Sequence, residues 1–351
     1  MTQTPQPGAT AAHRDGAQAA QPTPERIFQA LTAYQLTAAM KAAVELDIFS
    51  AVGEGAGTAA EIAARARASE RGVRILCDFL TVHQFLTKQD GRYGLTPEAQ
   101  AFLVRTSPAY VGGMVSFLAG PHLVGAFVEN FTGSVRKGGT TLPDDGSMTP
   151  EHPMWEDFAR GMAALAVPSA EVIVRITGAA AMETCKVLDI AASHGVFGIA
   201  FAKANPRAEV YACDWRNVLP FARERARREG VADRFHEVPG SAFDVDFGAD
   251  FDLVLVPNFF HHFDPPTNER LMRKIHGALK PGGRCVTLEF VPDESRVSPP
   301  QAATFPLVML GSTQAGDAYT FSEYERMFAG AGFSRSEIHP TPLQHVIVSH
   351  K

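Results

Sequence analysis

Side chains able to do chemistry collect at four places in the second half of this 351-residue chain. Each lies where an apolar run gives way to small or polar residues. Val187-Leu188-Asp189-Ile190 leads into Ala191-Ala192-Ser193-His194-Gly195. Small residues there let a ligand approach the backbone, and a helix starting at the turn offers free N–H groups. A tight connection with no ligand would look the same. The next run ends at Asp214, roughly 20 residues beyond the turn, where a carboxylate can accept both hydroxyls of a ribose. Trp215 beside it suits an adenine face, while a helix cap starting near Asn217 is the plainer reading of Asp214. A third run ends in Pro239-Gly240-Ser241-Ala242-Phe243. The fourth ends in Asn258-Phe259-Phe260-His261-His262-Phe263-Asp264. Adjacent histidines on a regular strand face opposite ways. One is therefore expected at a site and the other in packing or against a local carboxylate. Paired histidines also suggest a metal, but no third strong ligand stands at helix or turn spacing, so none is expected.

The elements that must position these residues follow from hydrophobic rhythm. The runs KVLDIAA, AEVYACD, RFHEVPG, FDLVLVPN, GRCVTLEFV and HVIVSH alternate with helical patterns such as VLPFARERARREG and TNERLMRKIHGALKPGG. Strand–helix alternation predicts a parallel sheet covered on both faces, with ligands at the carboxyl ends of its strands. The first hundred residues read differently. RIFQALTAYQLTAAMKAAVELDIFSAV has the three- and four-residue apolar spacing of a buried helix. Thr58 and Glu61 have the form of a capping box that starts the next helix. A third helix spans about 71–85, and Asp90-Gly91 predicts a hairpin turn after it. Three helices and a hairpin suggest a winged helix, hence DNA binding. Yet Arg71 and Arg74 on the third helix are opposed by Glu70 and Asp78, a poor phosphate-binding surface. Packing against another chain is the preferred reading. Residues from about 105 to 180 read as further helices, interrupted by the polar loop GGTTLPDDGSMTPEHP.

Composition narrows the classes. With 45% hydrophobic and 20% charged residues, the chain reads as an ordinary globular protein of about two domains. Its net charge of −6 gives no general attraction to nucleic acid or anionic membrane. Residues 1–24, rich in Ala, Gln, Pro and Thr, lack the apolar core of a signal peptide and read as a disordered tail. The uncharged stretch from Thr106 to Val128 holds two prolines and four glycines, and predicts buried helices rather than a membrane span. Cys77, Cys185, Cys213 and Cys285 are widely spaced, as expected of buried free thiols in a cytoplasmic protein.

Taken in order, KVLDIAASHG, CDWRNVL, PGSAF, LVPNFFHHFD, ALKPGG and LEF resemble the motif series of class I S-adenosyl-L-methionine-dependent methyltransferases. With the helical N-terminal part and the ending GDAYTFSEYERMFAGAGF, nearly everything after residue 25 resembles the bacterial and plant small-molecule O-methyltransferases. The resemblance implies an α/β fold: a Rossmann-like, seven-stranded methyltransferase domain over 181–351. A winged-helix-like dimerisation domain over 25–105 and a helical linker and pocket region over 106–180 would precede it. It implies S-adenosyl-L-methionine as cofactor, a small-molecule acceptor of secondary metabolism, a homodimer, and no role for nucleic acid or membrane. Carried over by position, Asp189, Ala191, Ser193 and Gly195 would hold the cofactor's methionine part, and Asp214 its ribose. Trp215, Gly240, Ser241, Ala242 and Phe243 would enclose the adenine, with Asn258 also on the cofactor side. His261 falls at the catalytic base and Glu289 at a supporting carboxylate. Met162, Met309 and His262 fall beside the acceptor, although Met309 also suits plain core filling.

The sequence departs from the family in three places. The usual D-x-G-x-G-x-G is D-I-A-A-S-H-G, keeping only Gly195. His262 replaces the carboxylate that often follows the catalytic His, and GDAYT stands where a second supporting Glu is usual. Two rivals to the hydroxyl-methylating reading therefore remain. One is a carbon or nitrogen methyltransferase on the same fold, metal-assisted at the His pair. The other is a non-catalytic, cofactor-binding regulator.

Overall fold

A computed structural model describes residues 22–341 and 343–351. Apart from residues 22–24, the tail expected over 1–24 lies outside the described residues. In the N-terminal part, Thr58 forms the anticipated capping box with Glu61 and starts helix Ala59–Ala66. Helix Glu70–Val82 follows, then the hairpin of β1 (Leu86–Gln89) and β2 (Arg92–Leu95), turned through Asp90 and Gly91 at positive φ. This arrangement is the expected winged-helix-like one. The single buried helix expected over 26–52 is instead three helices, Glu25–Thr32, Tyr34–Glu45 and Ile48–Gly53. Asp47, left-handed at φ 55°, makes the last break. Only the later part is buried: Ile48 is fully covered, whereas Ile27 and Leu31 are 63% and 69% exposed. Periodicity shows that a helix face needs cover without showing what covers it, and among the described residues nothing does.

The stretch from Thr106 to Val128 folds into short helices, Val115–Leu118 and Pro121–Val128. They meet at Gly120, where a Cβ would sit 2.5 Å from the Ser116 carbonyl. Among the described residues, no helix is long and apolar enough to cross a membrane.

The second half builds one seven-stranded sheet. Its strands are β3 (Cys185–Ile190), β4 (Ala208–Asp214), β5 (Phe235–Pro239), β6 (Phe251–Pro257), β7 (Leu279–Glu289), β8 (Arg335–Pro340) and β9 (His345–His350). Their order is β5-β4-β3-β6-β7-β9-β8. β3 to β7 are parallel, but β9 is antiparallel to both β7 and β8, which corrects the all-parallel expectation at HVIVSH. β8, RSEIHP, has no apolar run to betray it, because it is a half-buried edge strand.

Strand order reverses between β3 and β6, creating the crevice where such sheets take ligands. β6 is buried on both faces along its whole length, as a central parallel strand must be. One apolar core lies on each face of the sheet, and a third belongs to the N-terminal helices and hairpin.

Candidate active site

The turn after β3 sets one wall of the site. Ala191, Ser193 and Gly195 all adopt positive φ, at 55°, 49° and 72°. The chain thus keeps a glycine-type path while carrying side chains at two of three places. Gly195 has no such latitude, because a Cβ there would lie 2.9 Å from the Ala222 methyl. Asp189 sits beneath the turn, fully buried, and accepts a 2.9 Å hydrogen bond from the Gly198 amide. Gly198 permits that approach, since its Cβ would fall 2.9 Å from the same carboxylate oxygen. Burial pushes Asp189 up to about 7. The side chain therefore clamps helix Val196–Ala204 to β3 and does not reach the cavity described below, where a ligand-holding role had been expected.

Asp214, at the end of β4, accepts from the Ser193 amide at 2.8 Å and from its neighbour Trp215 at 2.7 Å. It thus braces the turn from the adjacent strand. It does not cap the next helix, which begins only at Leu219. Burial raises its carboxyl to about 6.

These walls enclose a largely apolar cavity of about 870 Å³ at the carboxyl ends of β3, β4 and β6. Of the residues singled out by sequence, Ala191, Ser193, Asp214, Trp215, Asn258, Met162, Met309, His261 and His262 line it. Gly195, Gly240, Ser241, Ala242 and Phe243 do not. The last four lie just past β5, where Gly240 donates to the Asp214 carbonyl and Phe243 packs edge-on against Phe263.

The opposite wall is the turn after β6. Glu289, the last residue of β7, is fully buried. One of its oxygens meets His261 Nδ1 at 2.6 Å. The other accepts from the amides of Phe259 at 3.1 Å and His261 at 3.4 Å. Ring and backbone of the turn thus hang on one carboxylate. The expectation that the two histidines face apart is overturned. Residues Phe260–His262 form a 3₁₀ turn rather than strand, so both rings are buried and both line the cavity, with centroids 4.2 Å apart. His262 Nδ1 lies 3.1 Å from the Phe259 carbonyl, and burial, with His261 beside it, holds its pKa well below the usual imidazole value.

Several contributors escaped sequence reading. The GDAYT segment supports the turn by backbone where a carboxylate was missing: Asp317 N–H donates to the His261 carbonyl at 2.9 Å. Gly316 makes the contact possible, because a Cβ would sit 2.4 Å from that oxygen. Gln344 donates to Asn258 Oδ1. Tyr34 and Lys41 bring the N-terminal helix Tyr34–Glu45 to the cavity, a contact that no local pattern reveals. His194, within the first turn, lines the cavity and stacks on Phe158. Burial drives its pKa down to about 3.

The residues fit an S-adenosyl-type ligand. Ser193 Oγ is buried without a protein partner at the cavity wall, and the Asp214 carboxylate stands beside it. Among the described residues, no group of three or more His, Cys, Asp or Glu side chains is arranged to hold a metal ion.

Comparison with known proteins agrees with this geometry. Residues 28–105 match the O-methyltransferase dimerisation domain, and residues 187–283 match a methyltransferase domain. The chain is 27% identical over 301 residues to the 3-hydroxy-5-methyl-1-naphthoate 3-O-methyltransferase of Streptomyces sahachiroi, covering 85% of this chain and 86% of the relative. It is 26% identical to the tetracenomycin polyketide synthesis 8-O-methyl transferase of Streptomyces glaucescens, covering 89% and 91%. A solved structure from Nostoc punctiforme, provisionally named an O-methyltransferase, is 47% identical and superposes with a TM-score of 0.90. That match covers 94% of this chain and all of the other.

The strained turn yields a paired expectation. Gly195→Ala adds a left-handed penalty of about 1–2 kcal/mol to its clash with Ala222, and lowers the denaturation midpoint clearly. Ala191→Gly trades relief of the same strain against roughly 0.5–1 kcal/mol of backbone entropy, and stays near wild type. Urea unfolding of both variants checks this. A neutral Gly195→Ala contradicts it.

Proposed function

The chain belongs to the S-adenosyl-L-methionine-dependent small-molecule O-methyltransferases, and from that premise we propose how its own residues divide the work. When bound, the cofactor supplies an electrophilic methyl group on a good leaving group. Ala191 and Ser193 hold its methionine part, with the unpartnered Ser193 Oγ as a free hydrogen-bonding group. Asp214 accepts the ribose hydroxyls, and Trp215 covers the adenine. The Gly240–Phe243 segment closes the adenine side from the second layer that it occupies past β5.

The acceptor is a small aromatic metabolite with a hydroxyl group. Both curated relatives described above are named for O-methylation in aromatic or polyketide chemistry, and the cavity's apolar lining suits a flat ring. Met162, Met309 and Phe158 hold that ring, so that the hydroxyl meets the methyl group in line. A phenol titrates near pH 10, so it arrives protonated at neutral pH. His261 removes the proton. Glu289 keeps hydrogen on Nδ1 and leaves the Nε2 lone pair for the hydroxyl, which is the positioning logic of an acid–histidine pair. The 2.6 Å bond between His261 and Glu289 is the observation that carries this reading.

Organisation follows the same lines. Residues 25–105 form the dimerising unit, 106–180 complete the pocket, and 181–351 hold the cofactor. The separate apolar core of residues 43–99 supports the first unit, whereas Ala163, Ala170 and Ile173 of the middle stretch share a core with the sheet and tie it to the third. The uncovered faces of Ile27, Phe28 and Leu31 support burial against a second copy. Four buried free thiols suit a reducing cytoplasm.

His261→Ala is expected to lower turnover by about 10²–10⁴ while leaving S-adenosylhomocysteine affinity nearly unchanged. Glu289→Gln is expected to lower turnover as well, since an amide can donate to Nδ1 and favour the wrong tautomer. Single-turnover methylation and product-binding titrations check both. Near-normal turnover in His261→Ala removes it as the base.

Asp214 adds a pH signature. Its carboxyl, raised to about 6 by burial, is ionised at pH 7.5 and becomes protonated as pH falls through 6. A ligand whose hydroxyls donate to the carboxylate favours the ionised form. S-adenosylhomocysteine affinity is therefore expected to be flat above pH 7, and to drop below pH 6 by up to about tenfold per unit. Asp214→Asn binds weakly and loses that dependence. A variant that keeps the wild-type pH profile refutes the assignment.

A further inference from the structure

Three buried imidazoles face the cavity, and their hydrogen bonds leave each with a different offer. His194 Nδ1 accepts from the Val196 amide at 3.2 Å, so its hydrogen lies on Nε2 and the ring is a donor to the cavity. His262 is the reverse. Its Nδ1 lies 3.1 Å from a carbonyl oxygen, which can only accept, so the hydrogen is on Nδ1 and Nε2 carries a lone pair. His261, bound through Nδ1 to Glu289, likewise presents Nε2 as an acceptor. Two acceptor nitrogens thus belong to adjacent rings with centroids 4.2 Å apart on one wall.

Only one of these acceptors has a use so far. Proton removal occupies His261, and no described side chain donates to His262 Nε2. Trp155 packs edge-on against His262 at 5.4 Å, but its indole N–H is already committed to the Ser147 carbonyl at 2.8 Å. A polar nitrogen in an apolar cavity, its tautomer fixed and its neighbours engaged, is placed to select a ligand.

We propose that His262 is a specificity-determining residue, and that the methyl acceptor carries a second hydrogen-bond donor on the carbon next to the reacting hydroxyl. The substrate class is a vicinal dihydroxy aromatic. One hydroxyl gives its proton to His261 Nε2 and receives the methyl group, while its neighbour donates a hydrogen bond to His262 Nε2. Two hydroxyls on adjacent ring carbons supply one donor to each of the two acceptor nitrogens, on rings whose centroids are 4.2 Å apart, and a lone hydroxyl leaves His262 unpaired. Sites built to bond a substrate hydroxyl discriminate strongly against analogues lacking it. The proposal rests on the assignment of His261 as base.

Equilibrium binding of 2,3-dihydroxynaphthalene and 2-naphthol to the full-length protein, saturated with S-adenosylhomocysteine, tests it. The diol is expected to bind the wild type at least about tenfold more tightly. His262→Phe is expected to bring the two affinities within about threefold. His262→Gln, whose amide oxygen can accept, is expected to restore part of the preference. Equal wild-type affinities, failure of both probes to bind, or a preference that survives in His262→Phe each overturn the proposal. Should His262→Phe not fold, the wild-type ratio and the Gln variant decide. Methyl incorporation from labelled S-adenosyl-L-methionine is read separately. Two bound probes with no methylation count against the His261 assignment, whereas equal binding with methylation counts only against the role of His262.

Discussion

The site depends on one buried carboxylate. Glu289 has no solvent contact, so its oxygens must find partners within the fold. It finds them in a single turn: the His261 ring and the amides of Phe259 and His261. That demand explains why residues 258–263 leave the strand path at once. Asn258 turns left-handed at φ 54°, and a 3₁₀ turn folds back over the end of β7. The same interaction chooses the ring nitrogen that faces the cavity. The path of the turn and the orientation of its ring therefore share one cause.

The surrounding elements keep this turn and the turn after β3 in register. β6 and β7 run parallel, so the end of one strand places the histidines and the end of its neighbour places Glu289. Asn268 donates to the Phe260 and Phe263 carbonyls, and the Gly316–Asp317 backbone closes on His261 from the other side. Across the crevice, Asp214 braces the turn that Asp189 and Gly198 anchor from below. Two braced turns thus face each other over an apolar cavity, an arrangement that supports the proposed alignment of nucleophile and methyl donor. The N-terminal helices complete the enclosure through Tyr34 and Lys41.

Much of this was legible in the residues. The parallel strands, the hairpin and the Thr58 capping box each follow from short-range chemistry, and the motif order pointed to Asp214, His261 and Glu289. What escaped has identifiable causes. β8 is an edge strand whose half-buried residues need no apolar run, and the direction of β9 is set by a short connection rather than by its composition. The helix Glu25–Thr32 has an apolar stripe that nothing among the described residues covers. The histidines were expected to diverge because strand alternation was assumed where a 3₁₀ turn forms. Asp189 was placed on the ligand by the family resemblance; its carboxylate accepts from the Gly198 amide, and it is not among the residues lining the cavity. The support supplied by GDAYT is backbone-borne, so no search for a replacement carboxylate would find it.

The tautomer of His261 is the most direct test of this account, because the fixed Nδ1–H underlies both proton removal and the role of its neighbour. Nitrogen-15 NMR of the imidazoles, in protein saturated with S-adenosylhomocysteine and assigned by comparison with His261→Gln, reads it without any acceptor. The account predicts hydrogen on Nδ1 of His261 and a lone pair on Nε2 at neutral pH. Hydrogen on Nε2 with a bare Nδ1 would mean that Glu289 carries the shared proton, and His261 could not then act as the base.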